Sequence, residues 1–282
     1  FQDGGFESGY IDLSVEAEAF GAKLKTSEEE VPTIVGKTVS DEAEAEALAV
    51  PHVGAGRTGR CIEAVSKAAK LITDRPVLAG VIGPFSLAGR LADVADIMMH
   101  CFRKPAMVHC LMEKTTAFLI DYINAYKDTG AAGVVLAEPL TGLLSPKLAA
   151  KFSEPYVKKL VEATKEPGFA FIYHNCGNSA YHMIDSILRV DADAYHFGNA
   201  VKMSDMLAKM PGDVLGMGNV DPSSQFCFGT PQSMKEETMR VMGECCKYPN
   251  FVISSGCDIP SGSNWDNIDA FFEAVREFYA GR

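Results

Sequence analysis

FAFIYHNCG, residues 169–177, is the stretch that decides the fold. It begins with five apolar or aromatic residues, which predict a buried strand, and Gly177 ends the run. His174 and Cys176 follow at the end of this strand, two positions apart. In an extended chain, residues two positions apart point to the same side, so these two side chains can share one metal ion.

Strand and helix patterns alternate on both sides of this stretch from residue 76 onward. The predicted strands are 77–82, 132–137, 169–173, 193–197, 214–218 and 251–254. The predicted helices are 86–101, 105–127, 145–165, 179–189, 203–210, 231–246 and 266–279. Each strand is followed by a helix, and alternating βα units predict a parallel sheet.

The first 75 residues show a weaker pattern. Helical spacing is found at two places, 13–20 and 58–73. A short strand is predicted at 22–25, followed by a polar loop over 27–41. The acidic, Ala-rich stretch 41–49 predicts either a short helix or a solvated run of charge.

Six βα units, with one or two more from the N-terminal region, predict an α/β fold of the TIM (β/α)8 barrel type. An open, doubly wound sheet is the alternative. Polar residues after most strands favour the barrel, whose enzymes place their chemistry at the C-terminal ends of the strands. We expect one domain, residues 1–282, with 1–75 as its N-terminal region and 76–282 as regular βα units.

Composition narrows the class of protein. Hydrophobic residues make up 47% of the 282 residues, enough for a large core. The net charge of -11 disfavours a nucleic-acid partner. No apolar run reaches the ~18 residues of a membrane-spanning helix. The eight cysteines lack the spacing of a disulfide scaffold, which indicates a reducing, cytoplasmic location.

A third residue of the metal-binding type follows a distant strand. Cys257 comes three residues after the last residue of the predicted strand 251–254, so it is expected at the same face of the barrel as His174 and Cys176. Two thiolates and an imidazole favour zinc over hard cations. Three protein ligands leave one tetrahedral position open, which is typical of a catalytic zinc site. The alternative is that each is an ordinary packed side chain.

Other polar residues also follow strands and are candidates for the same site. Glu138 is expected to face the barrel mouth as a fourth ligand or as acceptor of a substrate proton, unless it is an ordinary carboxylate. Asp258 either supports the metal ligands from behind or caps the following loop. Asn219 and Asp221 either contact substrate or begin a turn. His196 ends another strand and is expected to line the pocket.

Several motifs resemble one known family. HNCG at 174–177 with SGCD at 255–258 resembles the H-x-C…C zinc motif of the methylcobamide:coenzyme M methyltransferases, a branch of the uroporphyrinogen decarboxylase family. Further segments that resemble this family are EAEAFGA at 16–22, GPFSLA at 83–88, AEP at 137–139 with LSP at 144–146, and GNVDP at 218–222. The resemblance extends over nearly the whole chain.

This resemblance implies a TIM barrel and a zinc-dependent methyltransferase. His174, Cys176 and Cys257 would hold Zn2+. The methyl donor would be a methylated corrinoid (methylcobamide) on a corrinoid protein, and the acceptor a small thiol, coenzyme M. Members of the family carry a further N-terminal segment, so the chain is expected to lack part of its first barrel unit.

Three other functions remain open at this point. One is the metal-free decarboxylase of the same family. Another is a corrinoid methyltransferase with a different methyl donor or acceptor. The third is a zinc-binding subunit that docks a corrinoid protein without chemistry. No nucleic acid and no membrane are expected as partners.

Overall fold

The computed structural model describes residues 7–8, 12–26 and 32–281. Its strands are β1 (Glu7–Ser8), β2 (Leu24–Lys25), β3 (Thr33–Ile34), β4 (Val77–Ile82), β5 (Gly133–Ala137), β6 (Ala170–Asn175), β7 (Ala194–Phe197), β8 (Leu215–Val220) and β9 (Phe251–Ser255). Its α-helices are α1 (Val15–Ala19), α2 (Glu42–Ala47), α3 (Thr58–Leu71), α4 (Pro84–Ala92), α5 (Val94–Arg103), α6 (Pro105–Lys127), α7 (Pro146–Phe152), α8 (Glu154–Thr164), α9 (Ile184–Leu188), α10 (Met203–Leu207), α11 (Pro231–Cys245) and α12 (Trp265–Ala280). Among these described helices, none has the length and apolar character needed to cross a membrane.

One parallel sheet organises the molecule. Its strands lie in the order β1, β4, β5, β6, β7, β8, β9, and each is hydrogen-bonded to its neighbour in the parallel direction. From β4 onward, strands that are consecutive in sequence are therefore neighbours in the sheet, and one or more helices connect each strand to the next. β2 and β3 form a separate antiparallel pair. The predicted parallel sheet is confirmed.

The two sides of this sheet are covered differently. On one side, Leu78, Val135, Ile172, Ala194 and Met217 pack into a cluster that takes one residue from each of five consecutive strands. No described helix contributes to it. The other side faces the helices and holds the large hydrophobic core. A doubly wound sheet would bury both sides under helices, whereas a layer of strand side chains alone is the interior of a (β/α)8 barrel. The α/β barrel prediction is confirmed.

Two helices that the sequence predicts as continuous are divided in the structure. The predicted helix 86–101 is interrupted at Asp93, whose φ is 77° and whose carboxylate accepts hydrogen bonds from the first turn of α5. The predicted helix 145–165 is interrupted at Ser153, and Pro155 lies in the first turn of α8. Proline has no N–H to donate to the preceding turn, so a new helix begins there.

The N-terminal region is more ordered than its pattern predicted. Of the two alternatives for 41–49, the helix is correct, and Asp41 caps α2 by accepting a hydrogen bond from the Glu44 amide. The predicted loop 27–41 contains β3, which pairs with the predicted strand at Leu24 and Lys25. Residues 27–31 of that loop lie outside the described residues.

Candidate metal centre

Three potential ligands meet at the C-terminal end of the barrel. His174 lies on β6, and Cys176 and Cys257 lie just beyond the ends of β6 and β9. Their ligand atoms are all within 4.8 Å of one another. The Nε2 atom of His174 is 3.6 Å from the Sγ atom of Cys257. Tetrahedral zinc, with bonds of about 2.05 Å to nitrogen and 2.3 Å to sulfur, separates such atoms by roughly 3.5 Å. The cluster therefore fits a zinc ion.

The alternation of side chains along β6 explains how the strand presents these ligands. Ile172 belongs to the apolar layer inside the barrel, and His174 and Cys176 continue that face two and four positions later. His174 is buried and both cysteines are half-buried. The sequence predicted this set of three, and the structure brings its members together.

A hydrogen bond between the two thiols shifts their pKa values in opposite directions. The hydrogen bond from Cys257 lowers the pKa of Cys176, and the same bond raises the pKa of Cys257. Cys176 is therefore the more easily deprotonated of the two, and Cys257 remains the hydrogen-bond donor. Because zinc binds thiolates, metal binding at this site would release protons. Two sulfurs and one imidazole are soft donors that suit zinc.

Asn175, between the two ligands of β6, fixes the backbone around Cys176. Its side chain is fully buried. Its Nδ2 atom donates to the carbonyl of Glu138 at 3.3 Å, and its Oδ1 atom accepts from the Gly177 amide at 2.9 Å. Across from it, a side chain on Gly198 would overlap Cys176. Sequence reasoning did not single out Asn175, although an amide beside two ligands at the end of an apolar strand was a visible signal.

His196 lies against the cluster from the neighbouring strand β7. Its ring is 4.7 Å from the ring of His174, measured between centroids. Its Nε2 atom donates to the carbonyl of Ser255 at 2.7 Å. Burial and the nearby His174 lower the pKa of His196 to about 3, so the ring is neutral. The expectation that His196 lines the pocket is confirmed.

The ligands open into a cavity of about 530 Å3 inside the barrel mouth. Its walls are mainly apolar. They include Ile172 and Met217 from the strands, and Phe226, Phe271 and Phe272 from the segments that follow β8 and β9. A small molecule bound at the cluster would therefore be surrounded by hydrocarbon over most of its surface.

Glu138 has a different orientation from the one expected. Ala137 lines the cavity, and the alternation along β5 turns Glu138 away from it, toward α4. There its Oε1 atom accepts hydrogen bonds from the Phe85 amide at 2.9 Å and the Ser86 amide at 3.2 Å. The carboxylate thus caps the N-terminus of α4. Gly83 makes room for it, since a Cβ atom there would overlap Glu138.

Burial dominates the electrostatics of Glu138. Its side chain is fully buried, and burial raises its pKa to about 8 although hydrogen bonds from Thr141, Ser86 and Phe85 lower it. At neutral pH the group is therefore largely protonated. Its main-chain amide donates to the carbonyl of His174 at 2.9 Å, so Glu138 connects α4 to the ligand strand without being part of the ligand cluster.

Asn219 and Asp221 lie away from the cluster. Asn219 follows Met217 by two positions, so strict alternation would place the two side chains on the same side of the sheet. Gly218, with φ of 139°, breaks the alternation. The side-chain Nδ2 atom of Asn219 donates to the carbonyls of Gly198 and Val201 at 3.0 and 2.7 Å. Both residues line a second, polar cavity of about 420 Å3.

Asp221 acts as a helix cap. Its carboxylate accepts from the amides of Ser223 and Ser224 at 2.9 and 3.0 Å, at the start of the π-helical segment Pro222–Cys227. This is the turn-forming alternative that the sequence left open.

Asp258 lies at the rim of the larger cavity. Its side chain is exposed, and it lines the cavity next to the ligand Cys257. Surrounding protein atoms raise the pKa of its carboxyl group, and the nearby His174 lowers it, with a net rise. Among the described side chains that line the cavity, Asp258 is the only acid. Its predicted role behind the metal ligands stays a prediction.

Comparison with known proteins gives the family. The uroporphyrinogen decarboxylase (URO-D) family model matches residues 8–278. The chain is 25% identical to the methylcobamide:CoM methyltransferase MtbA of Methanosarcina acetivorans, over 97% of this chain and 80% of the relative. It is 26% identical to the uroporphyrinogen decarboxylase of Xylella fastidiosa, over 95% of this chain and 78% of the relative.

A solved structure supports the fold. A methyltransferase from Methanosarcina mazei superimposes with a TM-score of 0.86 at 22% identity, covering 96% of this chain and 80% of that one. The family model spans both strands that carry the potential ligands. The protein is a member of the uroporphyrinogen decarboxylase family.

Proposed function

We propose that the protein is a zinc-dependent methyltransferase that moves a methyl group from a methylated corrinoid to a thiol. The observation that carries the proposal is the cluster of His174, Cys176 and Cys257, with their ligand atoms within 4.8 Å and open to a cavity. Similarity to proteins named methylcobamide:CoM methyltransferases supports it.

Each part of the site has a chemical task in this reaction. His174, Cys176 and Cys257 would hold the zinc, whose positive charge would lower the pKa of a substrate thiol in the cavity. The substrate thiolate attacks the methyl group of the corrinoid. A sulfur–carbon bond forms, the cobalt–carbon bond breaks, and its electron pair stays on cobalt. The thiol proton leaves to solvent.

The surroundings protect the reactive sulfur. The mainly apolar walls offer few hydrogen-bond donors, so a thiolate in the cavity would be less well solvated than in water and therefore more reactive. His196 is neutral and its Nε2–H bond is already directed at the Ser255 carbonyl, so that N–H does not compete for the substrate sulfur. Asn175 holds Cys176 in position.

The decarboxylase alternative explains less of the site. Relatives with that name are as similar to this chain as the methyltransferases are. A metal-free decarboxylation, however, gives no task to two cysteines and a histidine that converge inside the cavity.

Metal content and thiol-dependent demethylation test the proposal together. The purified protein is expected to carry about one zinc per chain and to consume methylcobalamin only when a thiol is added. The Cys257→Ala variant is expected to lose both properties. Cys227→Ala is the matched control, because Cys227 is also half-buried but lies outside the cluster. A metal-free protein, or equal activity in the two variants, would refute the proposal.

A further inference from the structure

The second, polar cavity, of about 420 Å3, lies between α11 and the segments that follow β7 and β8. It is at the C-terminal end of these strands, the end at which α/β barrels bind their ligands. Asn199, which lines it, packs against Gly256, the residue before the potential metal ligand Cys257. The cavity therefore adjoins the ligand cluster, although it shares no lining residue with the larger, apolar cavity.

Asn219 presents a buried hydrogen-bond acceptor to this polar cavity. The residue lines the wall and is only 8% exposed. Its Nδ2 atom is occupied by the carbonyls of Gly198 and Val201, whereas its Oδ1 atom accepts from no described residue. A buried amide oxygen without a donor costs free energy, and a donor on a bound molecule would remove that cost.

Asp221 and Ser224 add acceptors from the same segment. The Oδ1 atom of Asp221 caps the π-helical segment by accepting from the amides of Ser223 and Ser224. Its Oδ2 atom takes no part in this cap, and the Ser224 side chain lines the cavity beside it. An ammonium group has three N–H donors. The amide oxygen of Asn219, the carboxylate oxygen of Asp221 and the hydroxyl of Ser224 match them in number and kind.

The remaining charged groups on the wall leave one cation for a ligand. Arg240 is engaged by two carboxylates, that of Glu237 at 2.8 and 2.7 Å and that of Glu244 at 2.8 Å. Lys202, just before α10, is 3.6 Å from Glu244, which is too long for a hydrogen bond. Its ammonium group can therefore donate to a negatively charged group in the cavity, next to the hydroxyl of Ser204.

We propose that this polar cavity binds a small zwitterion with the chemistry of a free α-amino acid. The ammonium group of the ligand lies at Asn219 and Asp221, and its carboxylate lies at Lys202. Because charge-assisted hydrogen bonds of both signs are used, the site discriminates against molecules that carry only one of the two charges. It is a binding site separate from the proposed methyl transfer, and it needs no metal.

Four molecules that differ only at the two charged positions test the assignment by isothermal titration calorimetry. They are L-serine, serinol, in which a hydroxymethyl group replaces the carboxylate, glycerate, in which a hydroxyl replaces the ammonium group, and glycerol, which carries neither charge. L-serine is expected to bind at least about tenfold more tightly than serinol or glycerate. If either single-charge analogue binds as tightly as serine, or if serine does not bind, the proposal is wrong.

Two variants assign each charge of the ligand to its partner. Lys202→Met is expected to reduce the affinity for serine to about that of serinol and to leave serinol binding unchanged. Asp221→Asn keeps an oxygen that can cap the helix, and it is expected to weaken serine binding about tenfold while glycerate binding stays the same. Lys158→Met and Asp269→Asn are matched controls at exposed positions outside the cavity. Equal losses in the test and control variants would overturn the assignment.

A change of metal content separates this site from the ligand cluster. Amino acids are themselves metal ligands, so serine is also able to bind a zinc ion held by His174, Cys176 and Cys257. The titrations are therefore repeated with zinc-loaded and with chelator-treated protein, and equal affinities are expected. Serine binding that requires zinc would place the ligand at the metal and would refute the proposal.

Discussion

The buried carboxyl group of Glu138 makes the stability of the fold depend on pH. In the unfolded chain its pKa is close to the ordinary glutamate value of 4.5, whereas burial raises it to about 8 in the folded protein. Below pH 4.5 both states hold the proton, so the group contributes no difference. As pH rises toward 8, the unfolded state releases the proton first, and the folded state is destabilised.

The size of this effect follows from the two pKa values. One pKa unit corresponds to about 1.4 kcal/mol, so Glu138 alone removes up to roughly 5 kcal/mol of folding free energy between pH 4.5 and pH 8. Glu16 is also fully buried, and burial raises its pKa to about 7, so it adds a smaller loss in the same direction. The wild-type protein is therefore expected to be most stable near pH 5.

The Glu138→Gln variant isolates the contribution of this residue. Glutamine keeps the size and one acceptor oxygen for the amides of Phe85 and Ser86, but it has no proton to release. Urea denaturation followed by circular dichroism is measured from pH 5 to pH 8. At pH 8 the variant is expected to be several kcal/mol more stable than the wild type, and at pH 5 equal or about 1 kcal/mol less stable.

A surface variant controls for general effects of removing charge. Glu162 is exposed, and Glu162→Gln is expected to keep the wild-type pH dependence. Parallel stability curves for the wild type and Glu138→Gln between pH 5 and pH 8 would refute the argument, because they would show that Glu138 is ionised in both the folded and the unfolded protein.

Two further variants test the supports of the site. Asn175→Ala is expected to weaken zinc binding about 10- to 100-fold in a chelator competition, because the backbone around Cys176 loses two side-chain hydrogen bonds. Asn178→Ala, at an exposed position, is the control and should leave the zinc affinity unchanged. An unchanged zinc affinity in Asn175→Ala would contradict this role of Asn175. Gly83→Ala is expected to lower the free energy of unfolding by roughly 3 kcal/mol, because the new Cβ displaces Glu138 from its amide donors. The matched control is Gly243→Ala in α11, where the new Cβ meets open space and should raise the free energy of unfolding by about 0.5 kcal/mol or more. Similar losses of stability in both variants would show that the overlap with Glu138 is not the cause.

The strands were predictable because their local signals are strong. Each regular strand is a short, mainly apolar run ended by glycine, proline or a polar residue, and predicted and observed bounds differ by at most two residues, as for 132–137 against Gly133–Ala137. Helix ends were less predictable. Asp93, with a positive φ of 77°, ends α4 and caps the start of α5, and the helical spacing of the sequence continues across this break without a sign of it.

The sequence predicts less well which way a side chain points when it lies at or beyond the end of a strand. His174 and Cys176 were placed correctly because an uninterrupted alternation fixes their common face. Glu138 follows β5 on the opposite side from the cavity-lining Ala137, and the uniformly apolar run 132–137 does not show which of its residues face the barrel interior. Asn219 is redirected by the φ of Gly218, which depends on contacts made only in the folded barrel.

The ligand cluster joins segments that the ribosome produces at different times. His174 and Cys257 are 83 positions apart, and three strand-to-strand junctions lie between β6 and β9. A growing chain therefore presents one histidine and one cysteine well before the last strand emerges, and two ligands hold zinc weakly. If the cluster binds zinc as proposed, full affinity would arise only when β9 has docked, and the bound metal would then stabilise the assembled strands against reopening.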